Sequence, residues 1–319
     1  MSRRLWRSLA VIAAGGLALA GTQVTADATP SSQAPAVHHV TGDRAAIHAK
    51  WTPERMRSAI PLDALTVDAK ALATVPAGSP HTVTPTKPEA APRAFPSGGG
   101  AWTGGGAVVH TAGRVFFTYS GRTASCSGDA VTSGNKSVVL TAGHCVKLDG
   151  AFHTDWVFVP AYNNGNAPYG TWTANTLLTT PQWQASEDIN YDVGAAVVDP
   201  LGGQLLTDVV GGQGVAFNQA RGQNMYAFGY PAADPYDGTS LIYCSGPVFD
   251  AFISDGIGMD CDMTGGASGG PWFLSFNEST GTGNQSSVNS YKINFIPFWM
   301  FGPYFGTDAE NLYNTAAAS

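Results

Sequence analysis

A chain of 319 residues with 44% apolar and 11% aromatic side chains can bury a sizeable core, as two small domains or as one domain behind a leader. Only 12% of its residues are charged, about half the usual share, so Gly, Ala, Ser, Thr and Asn must cover much of its surface. The net charge of −7 argues against nucleic acid as the main partner.

Residues 1–28 have the grammar of an export signal. Arg3, Arg4 and Arg7 precede the apolar run Leu9–Ala20, and Ala26-Asp27-Ala28 gives a small-x-small cleavage site. The run is too short to span a bilayer. Ser2-Arg3-Arg4 touches the twin-arginine pattern of folded-protein export, whereas disulfides favour folding after export. The later apolar run 293–305 is interrupted by Pro297 and Pro303. The expected product is secreted and extracellular, with no membrane association after cleavage.

Residues 29–100 are rich in Pro, Ala, Thr and Val, a composition that predicts a mostly disordered propeptide or linker. They carry seven basic and five acidic residues, against six and seventeen from residue 101 onward, so a basic leader precedes an acidic body. Within the leader, Trp51–Pro61 predicts a short helix with Thr52 as N-cap and Pro53 at its first position. Trp51, Met56 and Ile60 would form its apolar face, either docked on the body or idle in a spacer. Gly98–Gly106 reads as a hinge.

Beyond it, residues 101–319 predict a single β-rich domain. Short β runs recur at 107–109, 114–119, 137–141, 156–159, 193–198, 225–230 and 240–244. Thr307-Asp308-Ala309-Glu310 reads as a capping box opening a C-terminal helix. The four cysteines, Cys126, Cys145, Cys244 and Cys261, allow three connectivities. Local pairing, Cys126 with Cys145 and Cys244 with Cys261, is the expected one, each loop of about 20 residues contributing about 3 kcal/mol in the chain-entropy model.

Three segments carry chemistry: Thr141-Ala142-Gly143-His144-Cys145, Asn190-Tyr191-Asp192-Val193-Gly194, and Thr264-Gly265-Gly266-Ala267-Ser268-Gly269-Gly270-Pro271. Serine acyl transfer needs a hydroxyl, a base, an acid that orients the base, and N–H donors for the oxyanion. Glycines around Ser268 suit that geometry, although a Gly-rich loop alone could be merely flexible. All seven histidines precede Ser268, which excludes the Ser-Asp-His order of α/β-hydrolases despite the formal G-x-S-x-G match. His, Asp, Ser is the chymotrypsin order, and no aspartate before His144 resembles the subtilisin pattern.

These segments resemble the trypsin-like, chymotrypsin-fold serine peptidases. Thr141–Cys145 is similar to their histidine motif, and Gly266–Pro271 to their serine motif. Thr264-Gly265-Gly266 is closer to bacterial glutamyl endopeptidases. The resemblance implies two six-stranded antiparallel β-barrels. It implies His144 as base, Asp192 as orienting acid with Asp188 as its rival, and Ser268 as nucleophile, with His153 the alternative base. Gly266 and Ser268 would form the oxyanion hole. Asp262 falls where the specificity pocket would have its base, and Ser290 on the strand that lines the substrate. Ala267 departs from the family's aspartate, so activation by a new N-terminus pairing there is not expected. The histidine by which glutamyl endopeptidases read acidic substrates is missing after Ser268.

The implied activity is a secreted, monomeric serine endopeptidase acting on proteins or peptides. No cofactor and no metal are expected, since Asp255, Asp260 and Asp262 lack a calcium-loop spacing. An inactive binding or adhesion module on the same fold, or an exported esterase, are the alternatives.

Overall fold

Ser120 and Gly121 both take positive φ, 47° and 77°, which is what a tight two-residue hairpin requires. Ala112–Tyr119 (β1) therefore folds back on Arg122–Ala130 (β2), with Tyr119 opposite Arg122. In the computed structural model, which describes residues 33–62, 65–66, 74–86, 95–293 and 296–319, this hairpin is the centre of a closed barrel. Val138–Thr141 (β3) pairs with β2, Thr154–Pro160 (β4) with β1, and Trp172–Thr179 (β5) with β4. Gly194–Val198 (β6) pairs with both β3 and β5 and closes the ring of six. Alternate side chains such as Val115, Phe117, Trp156, Phe158 and Leu177 fill its interior. The expected export signal lies outside the described residues.

The second half is built from Asn224–Gly229 (β7), Ile242–Pro247 (β8), Ile257–Asp260 (β9), Pro271–Asn277 (β10), Thr282–Val288 (β11), Tyr291–Ile293 (β12) and Ile296–Gly302 (β13). β7 pairs with β8 and β10, and β10 pairs with β11. β13 pairs with β9 and β12. The strand expected through Ser290 is broken at Asn289 and Ser290, so β11 and β12 form one path through two sheets. β8 and β9 lie side by side where the backbone ladder is open, and the Cys244–Cys261 disulfide joins them there. The other disulfide links Cys126 on β2 to Cys145 after β3, so both bridges follow the expected local pairing.

Part of the Pro- and Ala-rich stretch adds elements to this body. Ala36–His39 pairs antiparallel with Thr176–Thr179 of β5, and His81–Val83 with Val215–Phe217. Thr52 caps helix Pro53–Arg57 as the sequence predicts, its hydroxyl accepting from Arg55 N–H. Trp51 and Met56 are 4% and 2% exposed, so the docked reading of this helix holds for them. Ile60 differs, at 44% exposed, because the chain leaves the helix as a strand and Leu62 turns inward instead.

Three other local expectations change. Residues 108–111 form a short helix, not a strand. The start of the expected hinge lies in a strand, Ser97–Ala101, paired with β8 and followed by Trp102 packed edge-on against Phe228, Tyr243 and Phe276. The C-terminal helix Thr307–Ala318 takes Gly306 rather than Thr307 as its N-cap, because Glu310 is drawn away to His81 Nδ1 and Asn218 Nδ2, both at 2.8 Å. Leu312 and Ala316 of that helix seal the first barrel. No helix among the described residues is long and apolar enough to cross a membrane.

Since Cys244–Cys261 ties β8 to β9 across an open seam between the two sheets, replacing both cysteines by serine should lower unfolding free energy by about 3 kcal/mol. Urea denaturation of the variant beside the unaltered protein measures it; an unchanged midpoint would mean that packing alone holds the seam.

Candidate active site

His144 and Asp192 meet because their strands are neighbours. β3 ends at Thr141 and β6 begins at Gly194, and these two residues face each other in the ladder. A single 3-10 turn, Gly143–Cys145, follows the first strand, and another, Ile189–Tyr191, precedes the second. Asp192 Oδ1 accepts the His144 backbone N–H at 2.7 Å, and Oδ2 lies 2.7 Å from His144 Nδ1. Both residues are fully buried. The carboxylate therefore holds the proton on Nδ1 and leaves the Nε2 lone pair available.

The third donor to Asp192 comes from the other barrel. Ser290 Oγ donates to Oδ2 at 2.5 Å. Its neighbour Asn289 donates through Nδ2 to Ala267 O at 3.0 Å and to Phe228 O at 2.8 Å, while Trp272 Nε1 donates to its Oδ1 at 2.7 Å. Asn289 O accepts from Gly269 N–H at 2.7 Å, and Ser268 O accepts from Ser127 N–H at 2.7 Å. Gly269, at φ +81°, has no room for a side chain, since a Cβ would lie 2.0 Å from Thr141 Oγ1. The Ser268 loop is thus fixed to both barrels through its backbone. Ser268 Oγ and His144 Nε2 are buried and make no hydrogen bond among the described residues.

No family model matches the chain. Among solved structures, the protease Anisep of Arthrobacter nicotinovorans is 47% identical, with a TM-score of 0.65, over 69% of this chain and all of its own. The thermostable serine protease AL20 of an extremophilic microorganism is 41% identical, with a TM-score of 0.63, over 67% of this chain and 99% of its own. The chain belongs to the serine proteases, with the trypsin-like fold. A Glu endopeptidase at 17% identity and a TM-score of 0.55 shares that fold. An extracellular metalloprotease of Bacillus subtilis (strain 168) matches over 82 residues at 36% identity, and the chain spans only 25% of its length.

The other residues singled out in this protease's sequence have definite places. Asp188 Oδ1 caps the turn by accepting from Asn190 N–H at 3.0 Å, which keeps it off the imidazole. His153 lies behind the site, stacked on Phe117 at 4.2 Å, with Nε2 2.8 Å from His144 O. Asp262 is exposed and accepts from Tyr236 OH at 2.6 Å. Its charge is felt by Lys292, whose ammonium donates to Cys261 O at 3.1 Å and whose pKa burial lowers to about 8. Ser290, expected on the strand that lines the substrate, donates its hydroxyl to Asp192. Sequence reading missed Asn289 and Trp183; the latter braces the histidine loop by donating from Nε1 to Lys147 O at 2.8 Å. Cys126, His144 and Cys145 cluster as metal donors would, but both sulfurs belong to the disulfide and are not thiolates.

Burial lowers the His153 pKa to about 4, against ~6.5 for an unfolded histidine. The unfolded chain then binds a proton that the folded one refuses, so this residue's contribution to stability is complete above pH ~6.5 and is lost as pH falls toward 4. That contribution amounts to about 3 kcal/mol. His153→Phe should flatten the pH dependence of urea unfolding in this window. Parallel curves for the two proteins would place the acid sensitivity elsewhere.

Proposed function

We propose that the protein is a secreted endopeptidase in which Ser268 is the nucleophile, His144 the general base and Asp192 the group that orients it. The reading is carried by one observation: the buried Asp192 carboxylate grips both the backbone and Nδ1 of His144. This fixes the tautomer that can take a serine proton.

In this scheme Nε2 removes the Ser268 proton as Oγ adds to the scissile carbonyl. The developing oxyanion is met by the N–H groups of Gly266 and Ser268. His144 then returns the proton to the departing amine, leaving an ester on Ser268. Water, deprotonated by the same imidazole, hydrolyses that ester and frees the new carboxyl end. Asp192 stays ionised throughout, with Ser290 and the His144 backbone sharing its charge.

Two disulfides fit folding in an oxidising compartment, which supports export. Residues 101–319 are the proposed catalytic domain, and the segment before them a propeptide. The rival readings differ in Ser268 itself: an adhesion module would have an inert hydroxyl, and an esterase would leave casein intact. In protein freed of its N-terminal segment, a fluorophosphonate should label Ser268 and casein should be cleaved, while Ser268→Ala should lose several orders of magnitude in rate with its fold retained. Undiminished casein cleavage by Ser268→Ala would remove the serine from the mechanism.

A further inference from the structure

Ser268 and His144 are 1% and 0% exposed. The N-terminal segment makes backbone contacts on both flanks of Ser268. Ile60 and Pro61 run parallel to β2, beside Ala124 and Ser125. At the next residue, Leu62 N–H donates to Ser125 O at 2.9 Å, and Leu62 O accepts from Gly266 N–H at 3.0 Å. That N–H is one of the two assigned above to the oxyanion, and it cannot serve a substrate carbonyl while Leu62 holds it.

The same segment reaches the other flank of the serine. Leu65–Thr66 pairs in parallel with Tyr291 and Lys292 of β12, directly after Ser290. Further along, Thr74 O accepts from the hydroxyl of Tyr191, the neighbour of Asp192, at 3.2 Å. The segment is anchored by burial as well as by its backbone. Leu62 joins the apolar cluster of the first barrel, and Trp51 packs on Phe116 while its Nε1 donates to Asp155 O at 2.7 Å.

We infer that Ile60–Leu62 together with Leu65–Thr66 form a built-in strand inhibitor: they occupy the backbone track for an extended polypeptide on both sides of Ser268, and the Leu62 carbonyl takes the Gly266 N–H. The inference rests on the assignment of Ser268 as nucleophile. Backbone pairing on an open strand edge is a general way to hold a peptide, and here the peptide is supplied in the same chain, at high effective concentration.

The test compares full chains whose leader is verified intact by mass. A carboxylate is expelled from an apolar cluster, so Leu62→Asp should release the segment. Fluorophosphonate labelling should then run at least tenfold faster than in the unaltered chain, and Ser268→Ala in the same background should take no label. If Leu62→Asp loses its circular-dichroism signature, Trp51→Ala, whose contacts lie away from Ser268, carries the same comparison. A synthetic peptide spanning Trp51–Thr66 should slow labelling of the released variant, and the same peptide with Leu62→Asp should not. Equal labelling rates in the intact and released chains would overturn the inhibitor while leaving the protease assignment standing. Absence of label in every form, released variants included, would overturn the nucleophile and the inhibitor with it.

Discussion

A carboxylate with no exposed surface has to be satisfied on all sides, and the Asp192 side chain is the point on which the site is assembled. Three donors converge on its two oxygens: the His144 backbone, the His144 ring and the Ser290 hydroxyl. Leaving such a charge without a partner costs about 3–5 kcal/mol, a large share of a typical domain's stability. Two of the donors come from the first barrel and one from the second. The seam between the barrels is therefore fastened at the residues proposed to do the chemistry, and the imidazole orientation follows from the same contacts that keep the fold together.

The serine loop is held differently, by its main chain. Ser268, Gly269 and Ala267 all use backbone groups to reach Ser127 and Asn289. Ala267 itself is fully buried among apolar side chains of the second barrel, where it offers no acceptor for a chain terminus. Under the proposed function, completing the site would call for no newly formed ion pair at residue 267, and control of activity would fall on access, at the inferred strand inhibitor.

Much of this was legible in the sequence because it depends on local constraints. The order of His144, Asp192 and Ser268, the glycines beside the serine and the cysteine spacing are each fixed by chemistry within a few residues. The recurrent β runs gave the fold class, apart from residues 108–111, whose apolar run is too short to separate strand from helix. What was not legible depends on contacts between distant segments. Nothing near Ser290 marks it as a partner of a residue 98 positions earlier. Thr307 and Glu310 have the capping pattern, but His81 and Asn218 compete for the glutamate. The composition of residues 29–100 argues against an independent core, yet single anchors such as Trp51, Met56 and Leu62 use the core of the body instead. Ile60 fell outside the expected face because the helix ended one turn before it.

The strand Ala36–His39 lies on the first barrel along Thr176–Thr179, where β5 no longer pairs with β4. The barrel is closed at one end of β5 and borrows its neighbour at the other. Release of the N-terminal segment would uncover a row of backbone donors and acceptors along Thr176-Leu177-Leu178-Thr179. Bare edges of this kind invite pairing with other chains. Loss of that segment would thus leave an adhesive margin, and solvent, a rearranged loop or a second polypeptide must then satisfy it.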